Sequence, residues 1–278
     1  MQNQARDQQD QQDQQDQRDR KFSELRDFRE LAGSFGSVAA EYDRGRPGYP
    51  EELFDDLERL WGHPLGGARV LDVGAGTGIA TRLLAARGAD VIAVEPSAGM
   101  AARFRAVSPH LPVVRGGGDE LPFHDGSADL VTYAQAFHWT RPERSVPEAV
   151  RVLRPGGALA TWWNLFDETV PWVRARDKRL SAALAGRYHG YGRVAELTAP
   201  FAAAGLAVHR AVLRWQRRAP VDQVVDNLTS RSFFASLPPE RRDPLLATER
   251  ALLLAEFPDG QVVEPYVLDL TVAVKPGC

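Results

Sequence analysis

Val70-Leu71-Asp72-Val73-Gly74-Ala75-Gly76-Thr77-Gly78 decides how this chain folds: an apolar run reaches an acid and then a turn with glycine at every second position. Arg69–Val73 has the composition of a buried strand, and Ile79–Arg87 that of a helix ended by Gly88. The glycines have a mechanical reason, since a side chain would block either the tight turn or the approach of a ligand to the backbone. The helix start then offers unpaired N–H groups to that ligand. Ile79 and Ala80 follow the turn and no lysine stands at a P-loop position, which disfavours a loop that cradles a nucleoside triphosphate. Glu95 ends the next apolar run, 21 residues beyond Gly74, where an acid can bond a ribose diol.

The same alternation continues on either side. Asp90–Val94, Val113–Arg115, Leu130–Ala134 and Ala158–Trp163 read as further strands, with helices over Ala98–Val107 and Glu143–Leu153. Short apolar strands separated by helices indicate a parallel sheet covered on both faces. Upstream, Glu51–Trp61 is a helix with Leu53, Leu57 and Leu60 on its buried side. Residues 42–50 carry two prolines and two glycines and make an irregular segment. Phe22, Leu25, Phe28 and Leu31 give a short amphipathic helix that covers the core, lids a site or pairs with a second copy.

After Asn164 the rhythm breaks. Helical stretches near Trp172–Ala185 and Val221–Phe257 flank a strand at Leu206–Trp215, and a last strand runs from Tyr266 to Val274. The expected fold is α/β, a Rossmann-type, mostly parallel seven-stranded sheet with its last strand antiparallel, helices on both faces and a helical cap. The domains expected are a disordered polar tail at 1–20, an N-terminal helix and lid at 21–50, a core at 51–164, and cap insertions with the last two strands at 165–278. In the tail, Asp7, Asp10, Asp13, Asp16 and Asp19 recur among glutamines with no apolar face to offset ordering.

Composition narrows the function. A net charge of −3 lacks the basic excess of a nucleic-acid binder. The one cysteine, Cys278, excludes a disulfide within the chain and a thiolate metal cluster, and the histidines show no metal-ligand spacing. No run approaches a membrane span and the N-terminus has no signal-peptide core, so a cytoplasmic location is expected.

The motifs together resemble the class I S-adenosylmethionine-dependent methyltransferases. The resemblance rests on Asp72 through Gly78, on Glu95-Pro96-Ser97-Ala98-Gly99-Met100, and on Asp119-Glu120-Leu121-Pro122-Phe123. Asp129-Leu130-Val131 through Ala134-Gln135-Ala136-Phe137-His138-Trp139 and Arg151 to Gly157 extend it. Phe35-Gly36 through Tyr42, Arg46 to Pro50 and the Gln135–Trp139 turn look like the trans-aconitate methyltransferase-like branch, which acts on small molecules. That resemblance implies S-adenosylmethionine as cofactor, S-adenosylhomocysteine as product and a small-molecule acceptor, with carboxylate or hydroxyl oxygen favoured. It implies no nucleic acid, no membrane and either a monomer or a homodimer.

By the same resemblance, Asp72, Gly74, Ala75, Gly76 and Gly78 hold the methionine end of the cofactor and Glu95 accepts both ribose hydroxyls. Pro96 and Met100 lie near the adenine, Asp119 accepts from its amino group, and Gly118 and Glu120 border it. Gln135 flanks the sulfonium, while Tyr42, Arg46 and Tyr49 close over the site. His138 is either a general base or a group that shapes the pocket. Trp139, Asn164, Arg231 and Phe233 are expected to line the acceptor pocket. N- or C-methylation of a small metabolite, an NAD-dependent oxidoreductase and a non-catalytic protein that binds S-adenosylmethionine are the alternatives. The oxidoreductase loop is usually Gly-x-Gly-x-x-Gly, whereas the glycines here stand at 74, 76 and 78.

Overall fold

In the computed structural model, seven strands form one sheet in the order β3-β2-β1-β4-β5-β7-β6. Residues 45–184, 194–229, 234 and 237–277 are described. The expected tail and first helix, and Tyr42, Arg231, Phe233 and Cys278, lie outside them. The strands are β1 (Arg69–Val73), β2 (Asp90–Val94), β3 (Val113–Val114), β4 (Ala128–Ala134), β5 (Leu153–Phe166), β6 (Ala207–Pro220) and β7 (Gln261–Val274). β1 to β5 pair in parallel, and β7 lies antiparallel between β5 and β6. The strand order reverses at β1 and β4, and such a switch point opens a crevice at the carboxyl edge.

The helices are α1 (Glu51–Trp61), α2 (Ile79–Ala86), α3 (Ala98–Val107), α4 (Pro142–Val152), α5 (Pro171–Ala183), α6 (Val194–Ala203), α7 (Val221–Thr229) and α8 (Pro239–Glu256). Alternate strand residues face opposite layers. Val70, Leu130, Ala160 and Trp162 meet Leu53, Phe54, Leu57 and Trp61 of α1 on one face, while Leu71, Val131, Leu159 and Trp163 meet Val146, Ala149 and Val152 of α4 on the other. Each large apolar side chain buried in these layers stabilises the fold by roughly 1.5–3 kcal/mol. Gly62 ends α1 at φ +83, donating its N–H to the Glu58 carbonyl.

Three differences from the sequence reading have local causes. β6 and β7 are paired along 14 residues each, because residues 216–220 and 261–265 extend the ladder through buried Ala219 and Val262 and the Arg217–Glu264 pair. The expected helical stretch 221–257 is interrupted: among the described residues it contains α7 and α8, and Pro238-Pro239 starts α8. α6 was not expected; Pro200 lies inside it. Phe201 of α6 joins the α4 face of the core. α5, α7 and α8 pack together through Leu180, Leu228, Leu245 and Leu246, with Val224 and Leu253 in a neighbouring cluster. Among the described residues no helix is long and apolar enough to cross a membrane.

Two carboxylates fix β1. Asp72 is 0% exposed; its Oδ2 accepts from the Thr81 hydroxyl of α2 at 2.6 Å and its Oδ1 from the Thr132 hydroxyl of β4 at 2.9 Å. Burial pushes the Asp72 carboxyl up to about 6 against the opposing effect of the two hydroxyls. At the other end, Asp129 accepts from the Arg69 backbone N–H and guanidinium and pairs with Arg154. Burial alone would raise the Asp129 carboxyl, but these cations and the N–H hold it below its ordinary value.

The two shifts predict opposite pH signatures. The raised Asp72 group contributes stability fully below its unfolded pKa, and that contribution is lost as pH rises through about 6. The lowered Asp129 group contributes stability above its unfolded pKa, lost as pH falls through its folded value. Urea unfolding of Asp72→Asn is expected to show added stability on the order of 2 kcal/mol near neutral pH, fading as the wild-type carboxyl protonates. Asp129→Asn is expected to lose about 1–2 kcal/mol near neutral pH. A pH-independent effect of Asp72→Asn would count against a buried charge at this position.

Candidate functional site

The site starts where β1 becomes the glycine turn. Gly74, Gly76 and Gly78 have φ of +70, +59 and +89, a region side chains disfavour. A Cβ on Gly74 would lie 2.6 Å from the Ala136 Cβ, and one on Gly78 2.5 Å from Cε2 of Phe104. Nothing lies within 4 Å of a Cβ on Gly76, so the turn presents open space at that residue.

Glu95, just past β2, grips this turn. Its Oε2 accepts from the Gly76 N–H at 2.8 Å and its Oε1 from the Ser97 N–H at 2.7 Å. Burial raises the Glu95 carboxyl, while the two N–H groups and the Arg115 charge oppose the rise. Each carboxylate oxygen accepts twice, so capacity remains for a pair of ligand hydroxyls. Open backbone at Gly76 beside an acid with spare lone pairs fits the ribose end of a nucleoside cofactor.

A cleft adjoins the turn. Gly74, Ala75, Ile79 and Ala80 form one wall, Arg46, Pro47 and Tyr49 another, and Ala134 and Gln135 the floor. Gln135 is the non-glycine residue with positive φ, +54, among those described. Such a backbone costs of order 1–3 kcal/mol and is characteristic of functional sites. Its N–H donates to the Trp162 carbonyl, and the chain then turns into a short 3-10 segment, Phe137–Trp139.

The Arg46 side is a strap held by the sheet. Gly45 lies against the backbone of Asp226 and Asn227, leaving no room for a Cβ. Its carbonyl accepts from Nη2 of Arg217 at 2.9 Å, and the Gly48 carbonyl accepts from Nδ2 of Asn164 at 3.0 Å. Tyr49 packs edge-on to Trp162 with centroids 5.8 Å apart.

His138 lies on the 3-10 segment, its Nδ1 accepting from the indole N–H of buried Trp163 at 3.3 Å. An indole nitrogen only donates, so this bond selects the neutral tautomer with its proton on Nε2. Burial first, and the Arg46 charge second, hold the imidazole pKa down to about 3.

The remaining expected residues are placed as follows. Asp72 faces the two threonines inside the fold, away from the open side of the turn. Asp119 accepts from the Arg141 backbone N–H at 2.8 Å and from its Nε at 2.7 Å. Gly118 is required beside it, since a Cβ would lie 2.6 Å from the Tyr133 hydroxyl. Glu120 and Pro96 are exposed, and Met100 is buried under α3. Trp139 is half-buried with its ring 4.8 Å from that of His138. Asn164 is buried and engaged by both Trp215 and Gly48, which makes it a brace of the strap. Sequence reading missed Trp163 and Arg141. The pair Trp162-Trp163 at the end of a strand was the available signal for the first, and nothing marked the second.

A family model for a methyltransferase domain matches residues 71–161. An uncharacterized methyltransferase of Mycobacterium tuberculosis is 39% identical over 225 residues, covering 81% of this chain and 87% of the relative. A methyltransferase-like protein of Schizosaccharomyces pombe is 30% identical over 235 residues, with 77% and 83% covered. The solved structure of a candidate type II methyltransferase from Anaeromyxobacter dehalogenans has the same fold, with a TM-score of 0.60 at 24% identity over 83% of this chain and 97% of that one. On this similarity, the chain belongs to the class I S-adenosylmethionine-dependent methyltransferases.

Proposed function

We propose that the enzyme methylates a small molecule at oxygen, a carboxylate being the preferred acceptor, in keeping with its resemblance to the trans-aconitate methyltransferase-like branch. The observation that carries this reading is the cationic Arg46 on the cleft wall, close enough to His138 to depress its pKa. A guanidinium and an imidazole N–H together favour an anionic oxygen and disfavour an ammonium.

S-adenosylmethionine supplies, when bound, a methyl group already activated by a sulfonium charge. Glu95 holds the ribose hydroxyls, and the backbone at Gly74 and Gly76 receives the rest of the cofactor. Asp119, oriented by Arg141, borders the adenine amino group. Asp72 is a positioning residue that acts on the turn through Thr81 and Thr132. Arg46 and the Nε2–H of His138 orient the acceptor, while Tyr49 and the strap exclude water. Alignment of this kind is worth up to about 7–11 kcal/mol of barrier. A carboxylate is ionised at neutral pH, so no general base is needed and His138 serves as a donor.

Calorimetry of Glu95→Ala with S-adenosylhomocysteine is expected to show at least about a tenfold loss of affinity. An unchanged affinity removes the ribose assignment. In a methyl-release panel of carboxylates, phenols and amines, turnover is expected with carboxylates. Exclusive turnover of amines overturns the reading.

With a carboxylate that is turned over, kcat is expected to be flat from about pH 6 to about pH 8, because His138 stays neutral throughout. A limb with the ordinary histidine pKa would restore a base at this position. His138→Gln, which keeps an N–H donor, is expected to retain more kcat/KM than His138→Ala, by about tenfold.

A further inference from the structure

A second cleft lies between α5 and α8. Arg176 of α5 is 1% exposed, and neither its Nη1 nor its Nη2 has a hydrogen-bond partner among the described residues. Its guanidinium carbon lies 4.1 Å from the ring centroid of Phe166 and 4.8 Å from that of Trp172. The rings stabilise the cation but accept none of its in-plane N–H groups. A charge buried this far without an anion is strongly unfavourable, so the arrangement lacks a partner.

The neighbouring charges do not provide one. Arg179 binds Glu249 of α8 through Nε and Nη2, both at 2.9 Å, and this pair ties the two helices together. Arg176 lines a cleft of about 130 Å³ with Trp172, Leu252, Leu253 and Glu256. Its walls are apolar apart from Arg179, whose charge Glu249 already engages, and the exposed Glu256 adds negative charge at the rim.

We propose that this cleft binds a monoanionic organic carboxylate with an apolar body. The carboxylate takes the two Nη groups of Arg176 as a bidentate pair, and the body lies along Trp172, Leu252 and Leu253. A phosphate dianion fits poorly, since the Glu256 carboxylate at the rim repels it and the apolar walls solvate it badly.

The site is distinct from the glycine turn. Trp162 pairs with Ala134 at the first cleft, and Phe166 lies about 13 Å farther along β5 at the usual rise per residue. The inference therefore stands independently of the acceptor proposed above.

The test uses the full chain with octanoate and benzoate as probes, and octylamine and inorganic phosphate as controls. A saturable rise in Tm with the acids alone is expected, persisting with S-adenosylhomocysteine at saturation. Arg176→Met is expected to raise the Tm of the free protein, because an unpaired buried cation is replaced by an apolar chain. It is also expected to weaken octanoate binding at least about tenfold. Leu252→Glu, at a rim position 41% exposed, repels the ligand without disturbing the core and provides an independent test. The proposal is overturned by absence of an acid-dependent shift, by an equal response to phosphate or octylamine, or by displacement of octanoate by S-adenosylhomocysteine. A lower Tm of free Arg176→Met, or undiminished octanoate affinity in either variant, overturns it as well.

Discussion

The sealed carboxylate of Asp72 is the constraint on which the site is built. β1 leaves the sheet at its switch point, and the turn that follows has no slack, since Gly74 meets Ala136 and Gly78 meets Phe104. The strand end must therefore be fixed to α2 and β4 together. Thr81 and Thr132 do so through one carboxylate, at the expense of burying its charge. Glu95 grips the same turn from β2, so backbone groups that face a ligand are set by three elements of the core.

Residues remote in sequence complete the cleft. The strap from Gly45 to Pro50 is tied to β6 by Arg217, to β5 by Asn164 and to the central layer by Tyr49. Arg217 is itself paired with Glu264 of β7, which is 0% exposed. The position of Arg46 over the glycine turn is thus inherited from the antiparallel half of the sheet. The glycine turn and the strap, on opposite sides of the cleft, thus have separate structural supports.

The glycine turn, Glu95 and the five parallel strands were legible because their signals are local: contiguous apolar runs, glycines where φ is positive, and an acid at a fixed offset. Roles that depend on distant partners were not. Asp119 reads as a free acceptor until Arg141 is seen on both its oxygens, and Asn164 as a ligand group until Gly48 and Trp215 are found to engage it. The state of His138 is set by Trp163, 25 residues away. Arg176 carries no pattern at all, because an arginine on a helix gains its meaning from the acceptors that three dimensions leave out. The ends of β6 and β7 were obscured for a related reason: their polar residues are held by each other across the ladder and not by a local apolar alternation.

The insertion of β7 between β5 and β6 has a consequence for how the molecule is assembled. β6 precedes β7 in the chain, yet its backbone pairs with the sheet through β7. Until the last strand arrives, β5 has an open edge and β6 is an unpaired ribbon of 14 residues. The final strand is thus a keystone whose contacts join segments far apart in sequence, and such closures are slow. During that interval an unpaired edge can recruit another chain. Arg210, Arg214 and Arg218, exposed at every fourth position of β6, place repelling charge along that edge. Charges spaced in this way along a strand oppose edge-to-edge pairing with another chain.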